Sequence, residues 1–436
     1  MLGRVTQVGR RSYSNAISPA SVKDAYRLVV VGGGAGGAAI GAKFARKLGK
    51  ASVLVIEPSK NHFYQPLWTL VGAGLKDKET SRRDQSSILT GPTWLCDHIA
   101  AFHPHQNKVE TQAGKEIKYD YLVIATGVRP NFDAIPGATE ALETPGVCSN
   151  YTWQTVNKTL PAIRGISEGQ ALFTFPNGPI KCAGAPQKIA YLADALFRQM
   201  GKRERIQMHY NTALPKIFGV AHYAEPLSAI AAAKGIQVNT RQALSSVRPD
   251  ARIAVFDLLD AEGQKVGEQE YEYAMLHISP PCTPVPELKA AQELVNPAGF
   301  VTVDKSRMQH TKFPNVFGLG DCTDSPNAKT AAAVAGQVGA VRRNLEALME
   351  GRPFIGEYDG YASCPLVTSP KSAMLAEFDY NLQPLETTPL DQRKERRSSY
   401  FIKANILPAL YWYLHVRGRW EGPTFWRRFL HLGLRA

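Results

Sequence analysis

Three observations predict an α/β protein of two Rossmann-like domains followed by a C-terminal helical segment. Near the start, the run LVVVGGGAGGAAIGAKFARKLG places Gly32, Gly34 and Gly37 at the G-x-G-x-x-G spacing. A second strand–helix–strand layout recurs between residues 165 and 300, but without that glycine spacing. The last fifty or so residues turn basic and aromatic. At 436 residues the chain is too long for one core and calls for two or three domains.

The first element is an apolar strand at residues 27–31 that enters the glycine loop, and residues 38–48 continue as a helix. A second strand at 52–56 ends on Glu57, about twenty residues past the last fingerprint glycine. Gly32 permits the tight turn, Gly34 lets backbone approach a pyrophosphate, and Gly37 lets helix and strand pack closely. The helix N-terminus then faces the phosphates, and Glu57 accepts from ribose hydroxyls. This is the dinucleotide-binding (FAD/NAD(P)-binding) fold. The strand at 121–128 ends in Ala125-Thr126-Gly127. The strand at 315–321 ends in Gly320-Asp321, and a helix is expected over 330–349.

In the second unit, strands are expected at 171–175 and 205–210 around a helix at 187–201. The second strand leads into Asn211 rather than an acid, and Cys182 stands where a phosphate loop would be. The layout is that of a nicotinamide domain without the residues that hold a nicotinamide.

The remaining features bound the class. Formal net charge is +13, and residues 392–436 carry ten Lys or Arg against two Glu. Residues 1–20 hold Arg4, Arg10 and Arg11, several Ser and no acid, and residues 1–24 are read as a mitochondrial presequence. The six cysteines (96, 148, 182, 282, 322, 364) form no C-x-x-C and no metal-ligand spacing. Most are expected to be buried thiols, Cys322 among them, and His62 and His277 to be satisfied core histidines. Nucleic-acid binding is not expected, since no nucleic-acid-binding module is present.

The tail, residues 400–434, interleaves nine aromatics with basic residues. Pro408, Gly418 and Pro423 are expected to break it into short helices, too charged to span a bilayer but suited to its interface. The alternative is a helical pair packed on the protein's own core. The boundaries are then 25–164 and 301–385 for the first domain, 165–300 for the second, and 386–436 for the docking segment.

The chain resembles the sulfide:quinone oxidoreductases of mitochondria. The marks are VGGGAGG, EPSKNHFYQPLWTLVGAG (57–74), FTFPNGPIKCAGAPQK (173–188), LHISPP (276–281), NVFGLGDCTDSPNAKTAAAVA (315–335), GYASCPLV and AEFDY (360–380). The resemblance implies FAD as cofactor, with Gly33 and Gly34 at the pyrophosphate, Glu57 at the adenosine ribose, and Ile99 at the adenine. It further implies Gln65 near the flavin, Gly127 in a segment closing over it, Asp321 on the ribityl chain and Lys329 near the pyrimidine.

The same resemblance makes Cys182 and Cys364 the redox pair, with Cys182 carrying a persulfide and Cys364 attacking the flavin. Lys181, next to Cys182, either lowers its pKa or points to solvent. The implied partners are hydrogen sulfide, ubiquinone, a small sulfur acceptor (glutathione, sulfite or cyanide) and the inner mitochondrial membrane surface. Two competing readings remain. A type II NADH:quinone oxidoreductase needs a second glycine fingerprint and an acid, both missing here. A flavin-binding sulfur or metal-handling protein without turnover is separated by assay.

Overall fold

The computed structural model describes residues 16–433. The expected presequence falls mostly outside them. Its last part does not: Ala16–Ile17 pairs in parallel with Thr93–Leu95 at the edge of the first sheet, and Val22 is buried. Strand pairing therefore moves the start of the first domain upstream of residue 25.

The first sheet has eight strands around Ala25–Val31. Val53–Ile56 flanks it on one side and Glu116–Ile124 on the other, both parallel, with Val31 in register with Ile56 and Ile124. Leu28, Val29, Val30 and Val31 are all buried, because helices or loops cover both faces, so this strand shows no apolar–polar alternation. After the second domain the chain returns, and Val316–Gly318 pairs with Glu116–Ile124. The strand expected at 121–128 in fact begins at Glu116 and stops at Ile124, leaving Ala125, Thr126 and Gly127 as loop.

The second sheet is parallel, with Gly169–Phe175 and Ile206–Thr212 at its centre. Asn211 lies inside the latter strand rather than beyond it. The helix between them, Ala185–Gln199, starts earlier than read from the sequence, with Pro186 in its first turn, where a missing N–H costs nothing. A hairpin, Ala362–Ser369 with Ser372–Phe378, carries Cys364 opposite Ala376.

The tail corrects one expectation. Pro408 does not break it: Arg397–Phe401, Ile402–Ile406, Leu407–Leu410 and Tyr411–His415 form one helical run. The wider π turn at Ile402–Ile406 precedes the proline and gives its ring room where an α turn would clash. Gly418 and Pro423 do interrupt, and Thr424–Leu430 is a separate short helix. The tail has both a packed and an exposed side. Tyr411, Trp412 and His415 are buried on the protein, whereas Tyr413, Phe425, Trp426 and Phe429 are exposed. No helix among the described residues is long and apolar enough to cross a membrane.

The glycine loop is a steric requirement. A Cβ on Gly37 would lie 1.8 Å from the Gly32 carbonyl oxygen, and one on Gly34 would meet nothing within 4 Å. Gly37→Ala is therefore expected to destabilise the protein by at least about 1–3 kcal/mol. Gly34→Ala should leave stability nearly unchanged. Urea unfolding of the two variants checks this, and equal stabilities would contradict it.

Candidate active site

A cavity of about 700 Å³ lies where the two domains meet. Two helix N-termini face it. One is the start of the fingerprint helix Ala35–Leu48, and the other the start of Ala331–Met349. Thr330 caps the second, its hydroxyl accepting from Ala333 N at 3.1 Å. Helix N-termini present unpaired N–H groups and a partial positive charge, so the cavity favours an anion.

Of the residues singled out in the sequence, Gly33, Gly34, Glu57, Gln65, Gly127, Asp321, Lys329 and Cys182 line this one cavity. Gly32 and Gly37 shape the loop beneath it. Ile99 does not line it: it is buried in strand Ile99–His103, paired with Thr111. Glu57 accepts from Gly33 N through one carboxylate oxygen and from Ser59 N through the other, each at 2.7 Å, and so fixes the glycine loop. Burial nevertheless pushes its pKa up. Asp321 is likewise pushed up by burial, against the opposing pull of Lys329 and Lys181.

These residues fit a flavin dinucleotide. The unfilled space over Gly34, the paired helix N-termini, and a buried cavity-lining amide (Asn150 Nδ2) with no partner among the described residues all await a polar, anionic ligand. No cluster of His, Cys, Asp or Glu that could hold a metal occurs among the described residues.

The two cysteines, 182 positions apart, meet here. Their sulfurs are 3.8 Å apart. Cys182 sits on the loop before Ala185–Gln199 with a left-handed backbone, φ 55°, rare for a residue with a side chain. Its N–H donates to Lys329 O at 2.8 Å, which ties the second domain's loop to the first domain's last helix. A Cβ on Gly184 would lie 2.5 Å from Cys364 Sγ, so a side chain there would displace the sulfur. Cys182 lines the cavity and Cys364 is buried behind it, flanked by the cavity-lining Ser363 and Pro365.

The cation beside the sulfurs is not Lys181. That side chain turns to Gln65, donating to Oε1 at 2.7 Å. The cation is Lys188, on the first turns of the same helix, with Nζ 3.3 Å from Cys182 Sγ and 3.8 Å from Cys364 Sγ. Hydrogen bonding from Cys364, helped by Lys188 and Lys403, holds Cys182 well below the usual thiol range. Cys364 is pushed up, first by Cys182 and then by burial. Lys188 is raised because the two sulfurs outweigh its burial. Lys403 is lowered to about 7, chiefly by burial and then by Lys188.

Sequence reasoning missed Lys188, Lys403 and Asn150. Lys188 was within reach, since it lies six residues past Cys182 in the same motif. Lys403 was not, because only folding brings the tail to this wall. His62 is satisfied, its ring bonded to Gln85 and Tyr411, and Cys322 is a buried packing thiol.

Residues 26–161 match the family model for pyridine nucleotide-disulphide oxidoreductases. The chain is 47% identical over 415 residues to the mitochondrial sulfide:quinone oxidoreductase of Mus musculus, covering 95% of this chain and 91% of the relative. It is 39% identical to that of Dictyostelium discoideum, covering 92% and 88%. The sulfide:quinone oxidoreductase structure from Aquifex aeolicus superposes with a TM-score of 0.77 at 20% identity, covering 94% of this chain and 96% of that one. With identity of this level along nearly its whole length, the chain belongs to the mitochondrial sulfide:quinone oxidoreductase family.

Proposed function

We propose that the chain oxidises hydrogen sulfide at the Cys182–Cys364 pair, using FAD, and passes two electrons to ubiquinone. The observation that carries this reading is the pair of sulfurs 3.8 Å apart, one of them in the wall of the cavity faced by two helix N-termini. Bound there, the flavin supplies a two-electron acceptor beside the sulfurs. The holding residues are Gly33, Gly34 and Glu57 at the nucleotide end, and Gln65, Asp321 and Lys329 at the other.

The protein's own chemistry is thiol exchange. Hydrosulfide attacks one sulfur of an oxidised Cys182–Cys364 bridge. The sulfur–sulfur bond breaks, the attacked cysteine keeps the added sulfur as a persulfide, and the other leaves as a thiolate. The lower-pKa thiol is the better leaving group, and Lys188 stands beside Cys182 to hold the thiolate. This supports Cys182 as the thiolate and Cys364 as the persulfide carrier, the reverse of the roles read from the sequence. Two sulfur–sulfur bonds meeting at the bent angle of divalent sulfur span roughly 3.3 Å. A bridge with one inserted sulfur therefore needs little movement from the observed spacing. A small acceptor such as glutathione, sulfite or cyanide then removes the outer sulfur, and the two electrons left on the reduced cysteine pair would pass to the bound flavin as the bridge re-forms.

The membrane side of the proposal rests on the tail. Phe425, Trp426 and Phe429 are exposed on one short helix beside Arg428, a pattern suited to the interface of the inner mitochondrial membrane, where ubiquinone resides. Trp426 and Leu430 also line the cavity, so the docking face and the cavity adjoin.

Sulfide should bleach the flavin of the anaerobic holoprotein, a short-chain quinone should restore its colour, and NADH should do neither. Cys182→Ser and Cys364→Ser should each slow bleaching by ~1,000-fold or more while keeping bound flavin. Full turnover in either variant would sink the scheme.

Lys188→Met removes the cation beside Cys182 and should raise the pH at which the reduced enzyme's Cys182 becomes reactive. Iodoacetamide rates across pH measure this, and an unshifted profile would show that Lys188 does not hold the thiolate. Replacing Phe425, Trp426 and Phe429 by Ser should weaken binding to anionic vesicles roughly 10-fold or more. Unchanged cosedimentation would remove the tail as the docking face.

A further inference from the structure

The tail also forms a wall of the dinucleotide cavity. After the helical run ends at His415, residues 416–423 lie across both helices whose N-termini face that cavity. A Cβ on Gly418, at φ +64°, would lie 2.6 Å from Ala39 O of the fingerprint helix. A Cβ on Gly422 would lie 3.3 Å from Gly336 Cα of the last helix. Glu421 joins the two helices: Oε1 accepts from Arg342 Nε at 2.5 Å and lies 3.2 Å from Lys43 Nζ. Arg46 donates to Arg417 O at 2.7 Å and to Gly418 O at 3.0 Å.

A chain of hydrogen bonds runs from the glycine loop into the tail. Gln85 Nε2 donates to Gly33 O at 2.8 Å, Gln85 Oε1 meets His62 Nδ1 at 3.0 Å, and His62 Nε2 meets Tyr411 Oη at 2.6 Å. Tyr411 stacks on His415, with ring centroids 5.6 Å apart. His415 is 2% exposed and lines the cavity, and its ring nitrogens make no hydrogen bond of good geometry, only loose approaches to the backbone of Trp420 and Ala35. The backbone of Ala35, the first residue of the fingerprint helix, lies beside it. A buried imidazole held only by loose backbone contacts gains from a better acceptor, and the group that helix start favours is an anion.

We propose that the C-terminal segment is part of the FAD site: His415 donates a ring N–H to the pyrophosphate region, and seating of the segment is coupled to FAD binding. This rests on the flavin reading above. A ligand that binds only the seated form stabilises the seat, and loosening the seat weakens the ligand by the same factor.

The test uses full-length apoprotein titrated with FAD, ADP and riboflavin, followed by fluorescence. His415→Ala should raise the Kd of FAD and of ADP roughly 10- to 100-fold and leave riboflavin unaffected. His415→Gln, which keeps a donor, should recover part of the loss. Glu421→Gln, which is not part of the cavity wall, should also weaken FAD. In the wild type, FAD should slow tryptic cleavage at the exposed Arg393 and Arg397. Unchanged FAD and ADP affinity in a flavin-binding His415→Ala protein, or equal cleavage with and without FAD, would overturn the coupling alone. A wild-type chain that binds no FAD would overturn the flavin reading with it.

Discussion

The closeness of the fingerprint helix to its sheet is the constraint on which the rest depends. Gly37 sits so near the Gly32 carbonyl that no side chain fits between them. That contact sets the first helix's N-terminus at the mouth of the loop, and Glu57 holds the loop from below through Gly33 N. The last helix joins the same cavity because Val316–Gly318 pairs with the neighbouring strand Glu116–Ile124. Two partial positive charges then converge on one volume. The second domain's loop is tied to the same place by Cys182 N–H and Lys329 O.

Around that volume the protein gathers lysines, two of them, Lys188 and Lys403, buried. Lys181, Lys188, Lys329 and Lys403 all line it. Burying a charge is costly unless something answers it. Lys181 is answered by Gln65, Lys188 by two sulfurs, Lys329 by Thr323 O at 2.9 Å and Lys403 by Pro66 O at 2.6 Å. The arrangement lowers the Cys182 thiol through its partner cysteine, Lys188 and Lys403. It also explains why the two cysteines differ. The one that takes a hydrogen bond from its partner, and also lies nearer Lys188, is lowered, and the partner, deeper and beside a forming negative charge, is raised.

The tail carries two demands on one sequence. One face meets the protein through Tyr411, Trp412 and His415, and the other shows Tyr413, Phe425 and Phe429 to its surroundings. A composition rich in aromatics and arginine serves both, which is why it left the two readings undecided. The π turn before Pro408 keeps the run helical, so a proline that reads as a break becomes a step in a continuous wall.

The glycine spacing, the apolar runs and the acid at residue 57 determined the first domain by themselves, because strand–loop–helix geometry is local and each residue's role follows from its neighbours. The missing second fingerprint was equally legible, and so were the two motifs that hold the cysteines. Their meeting was not, since a contact across 182 positions depends on how a hairpin packs against a distant helix. Nor was the choice of Lys188 over Lys181, which turns on a left-handed residue at Cys182 that redirects the loop. The place of His415 and Lys403 at the cavity was decided only by the tertiary structure. His415 is placed by the segment after it packing across both dinucleotide helices and Lys403 by its bond to Pro66 O, and no local pattern in the tail encodes what it will pack against.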